Sequence, residues 1–101
     1  MDEQQRVAEF VARHDLDAPP AFRLLDAVSE LGELAKNVNE STDYGAAPSG
    51  AAVDDDEVGD ALFALLALAD SLDVDAGAAL DEALAKYEDR LDETGTAGSG
   101  E

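Results

Sequence analysis

Four stretches of the chain place apolar residues at helical spacing, and each is closed by proline, glycine or aspartate. Residues 3–14 carry Val7, Phe10 and Val11 on one side and predict a first helix that ends at His14. Leu16-Asp17-Ala18-Pro19-Pro20 reads as a turn, with a proline suited to the start of the next helix. From about Pro20 to Asn39, Leu24, Ala27, Val28, Leu31, Leu34, Ala35 and Val38 keep the spacing of a second helix. Val28, Leu31, Ala35 and Val38 trace one stripe, which leaves Glu30 and Glu33 on its far side. Between Glu40 and Asp55 the text turns to glycine, proline and small polar residues, a loop long for so small a domain. A third helix is expected over 55–72, then a capped turn at Asp73-Val74-Asp75. The fourth covers 76–92, with Leu80, Leu84, Tyr87 and Leu91 inward, and Gly95 to Glu101 reads as a disordered tail of small residues. The expected architecture is all-α: one domain over residues 1–93, a four-helix antiparallel bundle with the third helix central, then a disordered tail at 94–101.

The third helix breaks the usual amphipathic rule. From Val58 to Ala69 the only charged residue is Asp60. A helix apolar on every side is normally buried, and an ionised carboxylate buried with it costs several kcal/mol unless a metal, a base or hydrogen bonds offset it. Because so short a chain buries a modest share of its surface, a helix this apolar calls for a partner subunit, making a homodimer or homotetramer the expected assembly.

Asp60 also belongs to a repeated pattern. Glu30-Leu31-Gly32-Glu33 and Glu57-Val58-Gly59-Asp60 each set two carboxylates three residues apart, on nearly one side of a helix, with a glycine before the second. Like charges this close repel, and a mid-helix glycine costs roughly 1 kcal/mol relative to alanine. Four carboxylates accepted at that cost suit a hard cation such as Mg²⁺, so Glu30, Glu33, Glu57 and Asp60 are candidate metal ligands, one of them doubling as a general base. Taken alone, the first pair is an ordinary solvated face; Asp60 in its apolar run makes the case.

Charge changes the picture in two ways. With 25 acidic and 6 basic residues the net charge is −19, a surface that repels nucleic-acid phosphates and anionic lipid, so neither nucleic acid nor a membrane is an expected partner. Acid excess with scarce lysine also suits a salt-loaded cytoplasm, where ~1 M salt shortens the screening length to about 3 Å and relieves self-repulsion. Most carboxylates are then solvent-facing adaptation. Absence of cysteine excludes disulfides and thiolate sites. The N-terminus lacks the pattern of a signal peptide, and the run at 61–69 is too short for a bilayer, so a soluble, cytoplasmic protein is expected.

The minor candidates have simple readings. His14 is expected exposed, against the dipole of its helix end. Tyr44 is expected to tack the long loop to the body, with stacking on a base as the alternative. Asp54, Asp55 and Asp56 read as helix-capping acids. Lys86 and Arg90, four residues apart on one side, either hold phosphate oxygens or pair with Glu82 and Glu88.

The two acidic quartets, in order, separated by a loop and followed by Ala61-Leu62-Phe63, resemble the MazG-type all-α nucleoside triphosphate pyrophosphohydrolases over about residues 20–92. Leu31-Gly32-Glu33-Leu34 and Glu57-Val58-Gly59-Asp60-Ala61-Leu62-Phe63 carry most of the likeness. The resemblance implies Mg²⁺-dependent hydrolysis of a nucleoside triphosphate to the monophosphate and pyrophosphate, with the four acids holding metal. Lys86-Tyr87-Glu88-Asp89-Arg90 is similar to a substrate-contact segment of some of these enzymes, which implies phosphate binding by Lys86 and Arg90; Lys36 is a secondary candidate. The alternatives are a helical oligomerisation or metal-binding module without turnover, and an all-α pyrophosphohydrolase acting on phosphoribosyl-ATP.

Overall fold

A computed structural model describes residues 2–97 of the chain. Among these residues there are four α-helices, one 3-10 turn and no strand: α1 (Asp2–Arg13), α2 (Pro20–Ser41), the turn at Pro48–Gly50, α3 (Asp55–Ser71) and α4 (Ala76–Thr94). The all-α expectation holds, and the helices begin and end within a few residues of the predicted limits. Each has a physical start. Proline opens α2, where its missing N–H costs nothing. Asp75 caps α4, its carboxylate accepting a hydrogen bond from Ala78 N at 3.1 Å. Gly95, at φ 77°, ends α4 in the left-handed conformation that glycine adopts without strain. Of the expected tail, residues 98–101 lie outside the described residues.

Helix α3 is central, packed on α2 and, on another side, on α1. The core is small: Val11, Ala27, Ala64, Leu66 and Ala67 are its buried apolar residues, and no described side chain is wholly enclosed. Helix α4 packs no extended face against the other three, so the four-helix bundle is not closed within the chain. Its Leu80, Leu84, Tyr87 and Leu91, expected inward, are largely exposed. The radius of gyration is 16.5 Å, against about 13 Å for a compact domain of this length.

The stripe on α2 is likewise turned outward. Leu24, Val28 and Leu31 are exposed, while the face toward α3 is Arg23, Ala27, Glu30, Leu34, Asn37 and Ser41, spaced four and three residues alternately. Glu30 therefore sits on the packed side of α2, opposite to the expectation that it lies on a solvated one.

The 42–54 loop is held by polar contacts at the end of α2. Ser41 Oγ donates to Ala52 O and accepts from Ala52 N, and Asn37 Oδ1 accepts from Asp54 N at 3.0 Å. A Cβ on Gly50 would lie 2.8 Å from the Ser41 carbonyl oxygen, so only glycine lets the loop come this close. The Tyr44 side chain takes no part in this attachment, although its N–H donates to Asn39 O. It is 77 % exposed, correcting the expectation that it tacks the loop down. His14 is exposed as expected, its ring 4.5 Å from that of Phe10.

Candidate metal centre

The site is made by the way α3 returns along α2. The Asn37 bond to Asp54 N sets the start of α3 against the C-terminal part of α2, so the second acidic quartet descends antiparallel past the first. Glu30 on α2 and Glu57 and Asp60 on α3 then converge: one carboxylate oxygen from each lies within 4.8 Å of the other two. Glu30 and Glu57 are half-buried and Asp60 is exposed.

The acidic pairs converge as expected in three of four members. Glu33 is not one of the trio; it is exposed beside Leu34, off the line of residues facing α3. It is still close enough to act on Glu57 electrostatically. Partial desolvation pushes the Glu57 carboxyl above its ordinary 4.5, and the negative charges of Asp56, Asp60, Glu33 and Glu30 push it further the same way. Gathering these acids is costly without a counter-charge. Oxygen donors of this kind from two rigid helices suit a hard divalent cation.

Two features differ from the sequence reading. Asp60 is exposed because α4 does not cover its side of α3, so apolar neighbours along the chain do not bury it. Gly32 and Gly59 are also unexplained by packing, since a Cβ on either would meet no atom within 4 Å. Asp54 occupies the N-cap position of α3 without a side-chain capping bond, while Asp55, Asp56 and Glu57 fill its first turn, where the helix dipole favours acids.

The cleft beside the trio has a volume of about 380 Å³ and is lined by Arg23, Asp26, Glu30, Asp60, Phe63 and Ala64. None of the basic residues singled out from the sequence lines it. Lys86 and Arg90 lie on α4, with Lys86 Nζ 5.2 Å and Arg90 Cζ 6.0 Å from the centre of the Tyr87 ring, and Arg90 Nη1 donating to Ala97 O at 3.4 Å. Lys36 lies on an exposed side of α2. The base present is Arg23, which sequence patterning passed over. Its signal is a charged residue flanked by Phe22, Leu24 and Leu25 in a chain with few bases. A larger cleft of about 570 Å³ opens between α1 and α3 on the other side of Phe63, lined by Arg6, Phe10, Arg13 and Leu62 among others. Phe63 separates the two, and its ring meets Phe10 edge-on at 5.9 Å.

Against known proteins the chain is similar to the uncharacterized protein YpjD of Bacillus subtilis (strain 168), with 40% identity over 75 residues. That alignment covers 70% of this chain and 66% of YpjD. No family model matches the chain, and no solved structure matches it. No helix of the described residues is long and apolar enough to cross a membrane.

Proposed function

We propose that this chain is a magnesium-dependent hydrolase that splits a nucleoside triphosphate into the monophosphate and pyrophosphate. The observation carrying this reading is the convergence of Glu30 with Glu57 and Asp60, 27 and 30 positions further along the chain, onto one cation-sized locus. Their donor chemistry fits Mg²⁺, which takes oxygen ligands and keeps several waters. Glu30, Glu57 and Asp60 would hold the ion, with Glu33 beside them. Bound there, Mg²⁺ would supply an acidified water and neutralise charge on phosphoryl oxygens. One carboxylate of the group takes the proton of the attacking water. The water oxygen adds to the α-phosphorus, the bond to the pyrophosphate oxygen breaks, and pyrophosphate leaves. A cation also reconciles a net charge of −19 with a polyanionic substrate.

The working form is a cytoplasmic homodimer or homotetramer. Its support is exposed area: 7115 Å² for the protomer, against about 5,400 Å² for a compact monomer of this mass. The outward stripes of α2 and α4 make up much of the apolar part. In such an assembly Lys86 and Arg90 reach a trio on another subunit and hold substrate phosphates there, with Lys36 as a further contact. A second reading, a metal-binding module without turnover, is favoured by the absence of Lys86 and Arg90 from the lining of the cleft beside the trio.

Pyrophosphate release from a panel of nucleoside triphosphates and phosphoribosyl-ATP, at high salt with Mg²⁺, tests the proposal. Glu57→Gln and Asp60→Asn should each lower the rate by roughly 10²–10⁴-fold with the helical signal intact. Release from phosphoribosyl-ATP alone would reassign the substrate. No release from any of them would leave the module.

A further inference from the structure

We infer that Arg23 anchors the phosphate chain of the substrate in the cleft it shares with Glu30 and Asp60. The inference rests on the hydrolase reading and adds a substrate contact to it. Its starting point is an inversion of normal burial: Arg23 is 8% exposed while its neighbours Phe22, Leu24 and Leu25 are 60%, 51% and 62% exposed. Arginine is rarely buried this far without an anionic partner. Asp26, Glu30 and Asp60 line the same cleft, yet the guanidinium forms no ion pair with any of them; its hydrogen bond goes from Nη2 to the Leu16 carbonyl. No buried side-chain nitrogen or oxygen among the described residues lacks a partner. Nη1 and Nε, which have none, therefore still touch solvent, and Arg23 is one of the residues lining the cleft.

A fixed cation and three carboxylates in one cleft are complementary to a ligand that carries both signs. A divalent cation chelated by a polyphosphate is such a ligand, turning its metal toward the acids and its oxygens toward a guanidinium. Arginine suits this because its planar fork offers paired N–H donors to phosphate, and the Leu16 bond holds that fork in place at no cost on binding. Bases on α4 need a second subunit to reach the trio, whereas Arg23 is already there.

Inorganic pyrophosphate is the probe, because it removes the unknown base from the problem. Calorimetric titration into wild-type protein with Mg²⁺ should show binding that disappears with chelator. Arg23→Gln should weaken it by roughly 10–100-fold, the usual range for a lost charge-assisted hydrogen bond. Arg23→Lys should fall in between, and Mn²⁺ affinity followed by electron paramagnetic resonance should stay the same in both. Because Arg23→Gln also cuts the tie to Leu16, the wild type provides an independent measurement: its Arg23 Nε–H resonance should shift on adding pyrophosphate with Mg²⁺. Unchanged pyrophosphate affinity in a folded Arg23→Gln, or an unmoved Nε–H signal, would make Arg23 a structural tie only. Wild type that binds Mn²⁺ but no pyrophosphate also overturns the inference. Wild type that binds neither overturns the metal-centre reading itself.

Discussion

Helices α2 and α4 are similar in length, 22 and 19 residues, and each carries an apolar stripe, but only α2 has found a partner within the chain. Even there the stripe is not what packs. The contact with α3 uses Ala27, Ala64 and Ala67 with Glu30 and Glu57 at one end, small residues that bring two backbones close enough for the acids to meet. The stripe of Leu24, Val28 and Leu31 faces away, as do Leu80, Leu84 and Leu91 on α4. An apolar stripe thus shows that a surface must be covered, without saying by what. In this molecule the interface that builds the site and the exposed apolar stripes are separate.

That separation can be broken most forcefully at the outward stripe of α2. Leu24→Asp with Leu31→Asp should turn an oligomer into monomer, or unfold it, by removing on the order of 3–6 kcal/mol of burial at about 1.5–3 per leucine. Analytical ultracentrifugation at high salt decides this, and wild type sedimenting as a monomer would contradict the assembly. Next in size is the inner contact. Leu66→Ala, at a residue 3% exposed, should cost about 2–5 kcal/mol in denaturant unfolding. Leu84→Ala should cost well under that in any monomeric form, and more once subunits associate.

Within the site, Glu33 is the discriminating position. Glu30→Gln should cost roughly 100-fold or more in kcat/KM, Glu33→Gln roughly tenfold or less, because only the former residue belongs to the trio. Equal losses would mean that the fourth acid moves in when metal and substrate bind. Smaller still is the contrast between caps. Asp75→Ala removes a bond to Ala78 N and should destabilise by about 1 kcal/mol, while Asp54→Ala, with no such bond to lose, should cost a few tenths.

The smallest effect is on the slope of stability with pH. Glu57 titrates above 4.5 in the folded chain, so its contribution is full below that value and is lost as pH rises through the folded pKa. Metal-free protein should therefore lose stability over that interval, and Glu57→Gln should flatten the loss in thermal scans with chelator. Asp75 works in the opposite sense. The bond from Ala78 N holds its carboxyl below the ordinary 3.8, giving stability above that value that fades as acid protonates it.

Helix positions and the spacing of acids within each quartet were legible because both are local: prolines, glycines and i, i+3 acids mark the chain directly. What was not legible depends on which face meets which. Glu30 reads as solvated beside the Val28–Leu31 stripe, and only the choice of α3 as partner for the other face brings it inward. Asp60 reads as buried because its sequence neighbours are apolar, but burial needs a covering helix, and α4 lies elsewhere. Arg23 could have been noticed as a lone base in an apolar stretch. Its burial, and its lack of an acidic partner, required the coordinates.

One amide joins the two ends of this fold. Gln4 Nε2 donates to Val74 O at 2.7 Å and its Oε1 accepts from Ala76 N at 2.8 Å, so a single side chain of α1 grips both sides of the turn that launches α4. The start of the last helix is thus tied to a residue of the first, beside the backbone hydrogen bonds of the turn itself. Replacing Gln4 would then loosen the hold on the launch of α4 without touching a single residue of the acidic centre.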